Sequence, residues 1–372
     1  MTIYMKNKLN NIQYENLLNT NEKYFNEFSI GFNTFLNSGH YILGDYVKDF
    51  EKKFSNYISS NYCLGVANGY DALTIMLKTT NMRSGGEIIV PANTYIATIN
   101  SIILAGFKPV LVDPSINTYN IEPENILRYI TKSTVAIMLV HLYGNPCKVD
   151  DFLDICKSHN ILLFEDCAQA HGAEYNNYKV GSKSELSAFS FYPTKNIGAL
   201  GDAGCITFND LKYYDRITSL RNYGSKEKYI FDEIGFNSRL DELQAMILVI
   251  KLKHYNDLLK KKISIANRYN SYIDNNLIIK PQVNALSKHV YHIYSIRCEK
   301  RDKLRIFLNQ NQIGWGSHYP IPPHQQKSLK SIVSKEFYIS ELISKTQLSL
   351  PINPHMTNEE VEYIINVLNS FK

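Results

Sequence analysis

Between residues 67 and 208 the chain repeats one pattern, in which a short apolar run is followed by a segment with helical spacing. The stretches EIIVPANTYIATINSIILAG and PVLVDPSINTYNIEPENILRYI are two examples. Such alternation predicts an α/β domain with a largely parallel sheet. The predicted strands are short and apolar throughout, which is typical of strands covered on both faces. They are residues 87–90, 109–112, 135–140, 161–164, 186–191 and 205–208.

A long helical pattern over about 239–273 separates this region from a C-terminal part with a different order of elements. There we predict a strand within 289–299, a helix at 301–311, a loop-rich stretch at 315–323 and a last helix that begins at Thr357. Thr357 and Glu360 have the spacing of a capping box. We therefore predict a large α/β domain at 1–250, with a mostly parallel mixed sheet flanked by helices, and a smaller α+β domain at 251–372.

Composition and charge narrow the class of protein. Apolar residues make up 44% of the 372 residues, enough for one large core and a smaller second one. The net charge of +5 comes from 40 basic and 35 acidic residues scattered along the chain, which suits an anionic ligand better than nucleic acid. No apolar run has the length of a signal peptide or a membrane span, so we expect a cytoplasmic protein without a membrane partner.

The six cysteines show neither a CxxC pair nor a regular spacing. This pattern argues against a zinc site and against a disulfide framework. We expect reduced thiols and no bound metal.

Two acids, Glu165 and Asp166, directly follow an apolar run in ILLFEDCAQAHGA. Both are therefore expected at the carboxyl end of a buried strand, which is where open α/β sheets bind ligands. An isolated acid in this position can equally cap the next turn. Asp166 by itself does not identify a site.

Lys195 lies between a predicted strand and a glycine-containing loop, in SAFSFYPTKNIGALGDAGCITF. A lysine in a loop is usually a solvated surface residue, but this one is surrounded by small residues. A lysine amine can form a Schiff base with a carbonyl, and in pyridoxal phosphate enzymes an acid keeps the pyridine nitrogen protonated so that the ring withdraws electrons. Asp166 and Lys195 would supply that pair.

The phosphate of this cofactor needs backbone amides and hydroxyls, which the first turn of a helix offers. The segment ANGYDALTIMLKTT has that form at Asn68, Gly69 and Tyr70, and Ser190 could add a hydroxyl. Tyr95, just after a strand in VPANTYIAT, could stack on the ring. The structural alternatives are an outward-facing strand residue for the serine and an ordinary core aromatic for the tyrosine.

Eight segments resemble, in order, the blocks of the DegT/DnrJ/EryC1/StrS family of nucleotide-sugar aminotransferases. They are GHYILGDYVKDFEKKFSNYI, GVANGYDAL, VPANTYIATINSI, EDCAQAHGA, SFYPTKNIGALGDAG, RNYGS, GFNSRLDELQAM and HYPIPPHQQ. The resemblance extends from about Gly39 to the last helix. One such segment would be weak evidence, but eight in the same order are specific. The resemblance implies the fold of type I pyridoxal-phosphate-dependent transferases.

The resemblance also implies a role for each matching position. Lys195 matches the catalytic lysine that holds pyridoxal 5'-phosphate and shuttles the proton. Asp166 matches the partner of the pyridine nitrogen, and Gln169 matches the group beside the phenolic oxygen of the cofactor. Further cofactor contacts are implied for Asn68, Gly69, Tyr70, Tyr95 and Ser190.

Four further positions concern the partner subunit and the substrate. Asn237 matches an asparagine that reaches the phosphate across the subunit boundary, which implies a homodimer with shared active sites. Taken alone, it is a turn or cap residue before the long helix. His318, Tyr319 and His324 match the segment that approaches the nucleotide-sugar. Their alternative is an ordinary proline-rich loop with exposed rings.

The implied reaction moves the amino group of L-glutamate to a nucleotide-linked keto-sugar. Tyr70 stands where many members of the family have threonine, and a bulky residue there resembles the branch that aminates carbon 3 of dTDP-linked 3-keto-6-deoxyhexoses. We therefore expect that substrate class, in deoxyamino-sugar and surface-glycan biosynthesis. Amination of a UDP- or dTDP-linked 4-keto sugar is the alternative.

Three other functions fit less well. The related sugar dehydratases have histidine in place of the cofactor lysine, whereas this chain has Lys195. A regulatory protein that binds the cofactor without turnover remains an alternative, because a fold does not fix a function, but no DNA-binding module or basic stripe is recognisable. A nicotinamide oxidoreductase would need a GxGxxG motif after the first predicted strand, and none follows it.

Overall fold

The computed structural model describes residues 11–333 and 335–372. Its helices are α1 Leu17–Asn21, α2 Phe25–Ser38, α3 Asp45–Ile58, α4 Gly69–Thr79, α5 Ile96–Leu104, α6 Pro123–Ile126, α7 Val149–His159, α8 Tyr214–Leu220, α9 Glu242–Tyr272, α10 Arg301–Gln310, α11 Tyr338–Thr346 and α12 Asn358–Ser370. Its strands are β1 Tyr62–Val66, β2 Glu87–Pro91, β3 Lys108–Val112, β4 Thr134–Val140, β5 Leu162–Asp166, β6 Glu174–Tyr175, β7 Tyr178–Lys179, β8 Leu186–Ser190, β9 Gly204–Phe208, β10 Ser225–Glu227, β11 Ile230–Phe231, β12 Ser287–Lys288, β13 Tyr294–Arg297 and β14 Gln347–Leu350.

A seven-stranded sheet with the order β1-β9-β8-β5-β4-β2-β3 forms the centre of the large domain. Strand β9 runs antiparallel to both of its neighbours, and the other pairs are parallel. The predicted α/β class with a mostly parallel mixed sheet is confirmed. All six predicted strands are present, whereas β1 was not predicted, because the five residues YCLGV carry too short a pattern and pair with β9 far away in the sequence.

Alternate residues of the strands enter two different cores, one on each face of the sheet. Phe189 of β8 packs in the core below α3 and α7, while its neighbour Ala188 belongs to the core that includes α4 and α5. Leu163 and Phe164 of β5 divide in the same way. A strand covered on both faces has no solvent-exposed face and therefore no alternating polar residues, which explains the continuous apolar runs in the sequence.

The C-terminal part has a core of its own, built from the β13/β14 pair, α10 and α12. The second half of α9 contributes Ile265 and Tyr269 to this core, whereas its first half packs against α2 and α3. Because α9 runs without a break through position 250, it belongs to both parts. The division at 250/251 stays a prediction, and residues 1–10 of the predicted large domain lie outside the described residues. The capping box of Thr357 and Glu360 is formed as predicted.

All six cysteines lie in the described part of the chain, buried and without a disulfide. Burial raises the pKa of five of these thiols, that of Cys156 to about 12, so these five stay protonated; they are Cys147, Cys156, Cys167, Cys205 and Cys298. Among residues 11–333 and 335–372, no helix combines the length and the apolar character needed to cross a membrane.

Glu242, the first residue of α9, joins that helix to α3. Helix α3 begins after Gly44, which has no side chain to cap it. Glu242 supplies the cap instead, because its two carboxylate oxygens accept the backbone N–H groups of Tyr46 at 2.8 Å and Val47 at 2.9 Å. The carboxylate is buried, so these amides have no water to replace it.

Replacing this cap is expected to cost stability. Glu242→Ala should lower the free energy of unfolding by about 2–3 kcal/mol, because two buried N–H groups lose a charged acceptor. Glu242→Gln, which keeps one acceptor oxygen, should lose about half as much. Urea titration followed by circular dichroism measures both, with the exposed Glu362→Ala of α12 as the control. A loss no larger than that of the control would contradict the proposed capping role.

Candidate active site

The carboxyl ends of β4, β5 and β8 open into a cavity of about 520 Å³. Because these strands are parallel, their ends lie at the same edge of the sheet. Ten of the twelve site residues predicted from the sequence line the cavity. They are Asn68, Gly69, Tyr70, Tyr95, Asp166, Gln169, Ser190, Lys195, His318 and Tyr319.

Asp166, the last residue of β5, carries a buried carboxylate with two hydrogen-bond donors. Its Oδ2 accepts the hydroxyl of Thr98 at 2.8 Å, and its Oδ1 accepts the backbone N–H of Ala168 at 3.1 Å. Burial raises the pKa of Asp166, while these two donors and the amine of Lys195 act in the opposite direction. A buried carboxylate fixed in this way is a suitable counter-ion for a protonated ring nitrogen.

Lys195 lies in the turn that follows β8, and its backbone N–H donates to the carbonyl of Tyr192 at 2.8 Å. Burial lowers the pKa of the Lys195 amine to about 8, against the influence of the Asp166 carboxylate. A substantial fraction of the amine is therefore neutral near physiological pH. A neutral amine can attack a carbonyl and accept a proton.

The first turn of α4 forms one end of the cavity. Asn68 caps this helix by accepting the backbone N–H of Asp71 at 2.8 Å. A Cβ atom on Gly69 would lie 2.5 Å from the Cβ of Ser190, so only glycine allows the two segments to approach this closely. Gly204 is packed against the Asn68 backbone in the same manner. The result is a helix N-terminus next to a serine hydroxyl, which is an arrangement that binds phosphate.

Gln169 and Tyr319 form the wall opposite this helix. The side-chain oxygen of Gln169 accepts the backbone N–H of Tyr143 at 2.6 Å, and its amide donates to the hydroxyl of Tyr319 at 2.9 Å. The ring centroids of Tyr319 and Tyr95 are 5.3 Å apart. Burial raises the pKa of Tyr319, so its phenol stays protonated. An amide and two aromatic rings thus line the cavity together, a set of groups that suits a planar ligand.

His318 is held by two polar contacts from β14. Its backbone N–H donates to Oε1 of Gln347 at 2.8 Å, and its Nδ1 is 2.8 Å from the hydroxyl of Ser349. Burial, with a smaller contribution from the Lys195 amine, lowers the pKa of His318 to about 4. His318 is therefore neutral near pH 7 and can offer a hydrogen bond but no positive charge.

Several polar residues at this site were missed by the sequence reasoning. Thr98 binds Asp166, while His141 and His292 line the cavity. His141 follows β4 as directly as Asp166 ends β5, so the rule that polar residues at strand ends form sites would have found it. For Thr98 and His292 the sequence carries no comparable signal.

His141, Glu165 and Cys167 place three possible metal-ligand atoms within 4.8 Å of one another. Both nitrogens of His141 are already used, because Nδ1 accepts the backbone N–H of Cys147 at 3.0 Å and Nε2 lies 2.8 Å from Glu165. Glu165 also accepts the backbone N–H of Gly181 at 3.1 Å. Hydrogen bonds within the protein therefore account for this cluster.

Two predicted site residues lie outside the cavity. Asn237 is exposed in the loop before α9 and forms a backbone bridge with Asn222. His324 is buried, with its Nε2 3.1 Å from Glu341 and its ring against Phe337. Their roles in binding phosphate across the subunit boundary and in binding the sugar stay predictions.

These residues fit pyridoxal phosphate. The glycine-lined first turn of α4 would hold the phosphate, because a Cβ on Gly69 would meet Ser190 there. Asp166 would pair with the ring nitrogen, and Lys195 provides an amine for the aldehyde. The donor set therefore matches each polar group of this cofactor.

Comparisons with known proteins agree with this chemistry. The profile of the DegT/DnrJ/EryC1/StrS aminotransferase family matches residues 25–369. The chain is 47% identical over 360 residues, 97% of its length and 99% of the relative, to dTDP-3-amino-3,6-dideoxy-alpha-D-galactopyranose transaminase of Aneurinibacillus thermoaerophilus. It is 37% identical over 338 residues, 90% of its length and 92% of the relative, to the erythromycin biosynthesis sensory transduction protein EryC1 of Saccharopolyspora erythraea.

The fold comparison gives the same result. The crystal structure of DesV from S. venezuelae, in complex with a ketimine intermediate, matches with a TM-score of 0.95 and 34% sequence identity. The match covers 97% of this chain and 98% of that chain. The type I fold, the aminotransferase activity and the use of pyridoxal phosphate follow from these matches and from the site.

The lowered pKa of Lys195 predicts how cofactor capture depends on pH. In cofactor-free protein the capture rate should rise about tenfold from pH 7 to pH 9 and then level off, because only the neutral amine reacts and half of it is neutral at about pH 8. A lysine with an ordinary pKa would give a rise of about a hundredfold over this range. Stopped-flow absorbance measures the rate, and borohydride fixation with peptide mapping confirms the attachment site.

Asp166→Asn is the informative control for this experiment. Removing the carboxylate removes the charge that raises the pKa of Lys195, so the plateau should move to lower pH. A capture rate in the native protein that keeps rising steeply above pH 9 would contradict the lowered pKa.

Proposed function

The chain belongs to the DegT/DnrJ/EryC1/StrS aminotransferase family, and we propose that it transfers the amino group of L-glutamate to carbon 3 of a dTDP-linked 3-keto-6-deoxyhexose. The observation that carries this proposal is the 47% identity, over nearly the whole of both chains, to a transaminase named for a dTDP-3-amino-3,6-dideoxy sugar. The DesV neighbour supports the same class of reaction. The product would serve deoxyamino-sugar and surface-glycan biosynthesis.

Lys195 carries the central role in the proposed reaction. When bound, pyridoxal phosphate supplies an aldehyde for the amino group and a ring that withdraws electrons. Between turnovers the Nζ of Lys195 would hold the cofactor covalently. In each half-reaction the freed, neutral Nζ would accept a proton from one carbon and pass it to another, taking it from the α-carbon of glutamate in the first and delivering it to carbon 3 of the sugar in the second. Its lowered pKa suits both transfers.

The other residues would bind and orient the cofactor. Asp166 would pair with the ring nitrogen, and Thr98 holds its carboxylate in place. The first turn of α4 and Ser190 would bind the phosphate. Gln169 is held by Tyr143 and Tyr319, so its amide keeps one orientation and would lie beside the phenolic oxygen.

The sugar would enter beside Tyr70, His318 and Tyr319, which share the cavity with Lys195. A volume of about 520 Å³ is in the range of sites for small ligands. Because His318 is neutral and the phenols of Tyr70 and Tyr319 are protonated, these groups suit the hydroxyls of a sugar better than a negative charge. We assign the diphosphate to the open side of the cavity.

We also propose that the protein is a homodimer with shared active sites, in the cytoplasm. Exposed apolar side chains occur in the segment between α8 and α9, where Tyr229 in the β10–β11 turn is 80% exposed and Ile234 in the following loop is 96% exposed. Helix α2 adds the exposed Ile30 and Phe32. Patches of this kind support a protein interface, and Asn237 lies in the same loop. The buried, unbridged thiols support a reducing compartment.

A regulatory protein is the second candidate, because the EryC1 relative is named as a sensory transduction protein. The site argues for turnover instead. Lys195 combines a lowered pKa with a nearby Asp166 carboxylate, and a lysine of this kind can accept and return the proton that turnover requires.

The substrate proposal predicts a clear preference between sugars. With L-glutamate as donor, kcat/KM for dTDP-3-keto-6-deoxyhexoses should exceed that for dTDP- and UDP-linked 4-keto sugars by about a hundredfold or more. The reason is that amination requires the keto carbon of the bound sugar to lie within reach of the Lys195 amine. Mass spectrometry and NMR of the product identify the aminated carbon. Lys195→Ala should lack both the visible absorbance of the bound cofactor and turnover. Preferred amination at carbon 4 would refute the proposed regiochemistry, and cofactor binding without turnover on any sugar would favour the regulatory alternative.

The shared site predicts complementation between inactive subunits. Lys195→Ala and Asn237→Ala homodimers should each have little activity, whereas a refolded mixture should recover up to about a quarter of the native activity, because one of the two sites in a mixed dimer combines both native residues. The assay follows amination after mixing, with each variant refolded alone as the control. If the mixture gains nothing over the separate variants, Asn237 does not act across the subunit boundary.

A further inference from the structure

Two lysines of the long helix α9 bind the loop that carries Lys195. The Nζ of Lys251 donates to the backbone carbonyl of Gly198 at 2.5 Å, and the Nζ of Lys262 donates to Oδ1 of Asn196 at 2.8 Å. Gly198 lies three positions after Lys195, and Asn196 lies one position after it. We call Lys251, Lys262 and Asn196 the lysine clamp.

The clamp also reaches the opposite wall of the cavity. Lys262 donates a second hydrogen bond to the backbone carbonyl of His292 at 3.3 Å, and the side-chain amide of Asn196 donates to the carbonyl of Val290 at 3.1 Å. His292 itself lines the cavity. Lys262 and Asn196 thus join the Lys195 loop to the segment 289–293.

This arrangement is unusual because both amines bind neutral acceptors. In the described part of the chain, the lysines of α9 that form ion pairs are the exposed Lys253 and Lys260, and neither clamp lysine does so. Lys251 is buried and Lys262 is half-buried, so each charge is poorly compensated. Burial lowers the pKa of each amine to about 8, although Glu15 opposes this effect. A structural helix position would be served at lower cost by an apolar side chain.

We propose that Lys262 is a positioning residue for the reaction, which acts through Asn196 to hold Lys195 against the cofactor. The inference rests on the proposed role of Lys195. Asn196 directly follows Lys195 in the chain and accepts the Lys262 amine, so the loss of either partner of this hydrogen bond should loosen the loop that presents Lys195.

The test uses the holoenzyme without substrate and measures the cofactor dissociation constant by fluorescence and the thermal stability of the same samples. For Lys262→Met we expect cofactor binding to weaken about tenfold, because the tie to Asn196 is lost. Asn196→Ala should weaken it by a similar factor, and the double variant should bind no more weakly than either single variant, because both changes break the same hydrogen bond. Lys262→Arg keeps a donor at this position and should stay closer to the native value.

The exposed neighbour Lys261→Met is the matched control and should change neither quantity. A purely structural Lys262 would lower thermal stability without weakening cofactor binding. Equal dissociation constants for Lys262→Met and Lys261→Met would overturn the proposal, as would native cofactor affinity in Asn196→Ala, which decides the matter even if Lys262→Met does not fold. Lys195→Ala separates the two hypotheses, because a retained visible band in that variant would refute the role of Lys195 itself.

Discussion

The common direction of the strands in the central sheet is the constraint on which the site depends. Strands β4, β5 and β8 end at one edge, and the turn before α4 reaches the same edge because Gly69 and Gly204 allow close backbone contact. Asp166, Ser190 and the first turn of α4 are distant in the sequence, yet this edge brings them around one cavity. A different register or direction of β5 would turn the Asp166 carboxylate into the opposite core.

Burial then gives these side chains their chemistry. Burial raises the pKa of Asp166 and lowers that of Lys195 to about 8. The charge of each group partly opposes the shift that burial causes in the pKa of the other. One site therefore holds a fixed negative charge and an amine that gains and loses a proton near neutral pH. Burial keeps His171 and His318 neutral, so these two do not add positive charge that would disturb this balance.

Helix α9 connects this site to the rest of the molecule. Its first residue, Glu242, caps α3, its middle holds the Lys195 loop through Lys251 and Lys262, and its last turns enter the core of the C-terminal part. A rigid helix of 31 residues can carry these contacts at fixed spacing. The position of Lys195 thereby depends on packing in both parts of the protein.

The sequence by itself determined the α/β class, six of the seven strands of the central sheet, the long helix and the motif residues around Asp166 and Lys195, because periodicity and motif spacing are local properties of the chain. Only the tertiary structure decided which residues meet. It brought Thr98 to Asp166 and Lys262 to Asn196, and it placed His324 against Glu341 outside the cavity. It also decided that β1 pairs with β9, and that Lys195 has a pKa near 8 instead of that of a surface lysine. Contacts and burial of this kind arise between distant segments, and no local pattern encodes them.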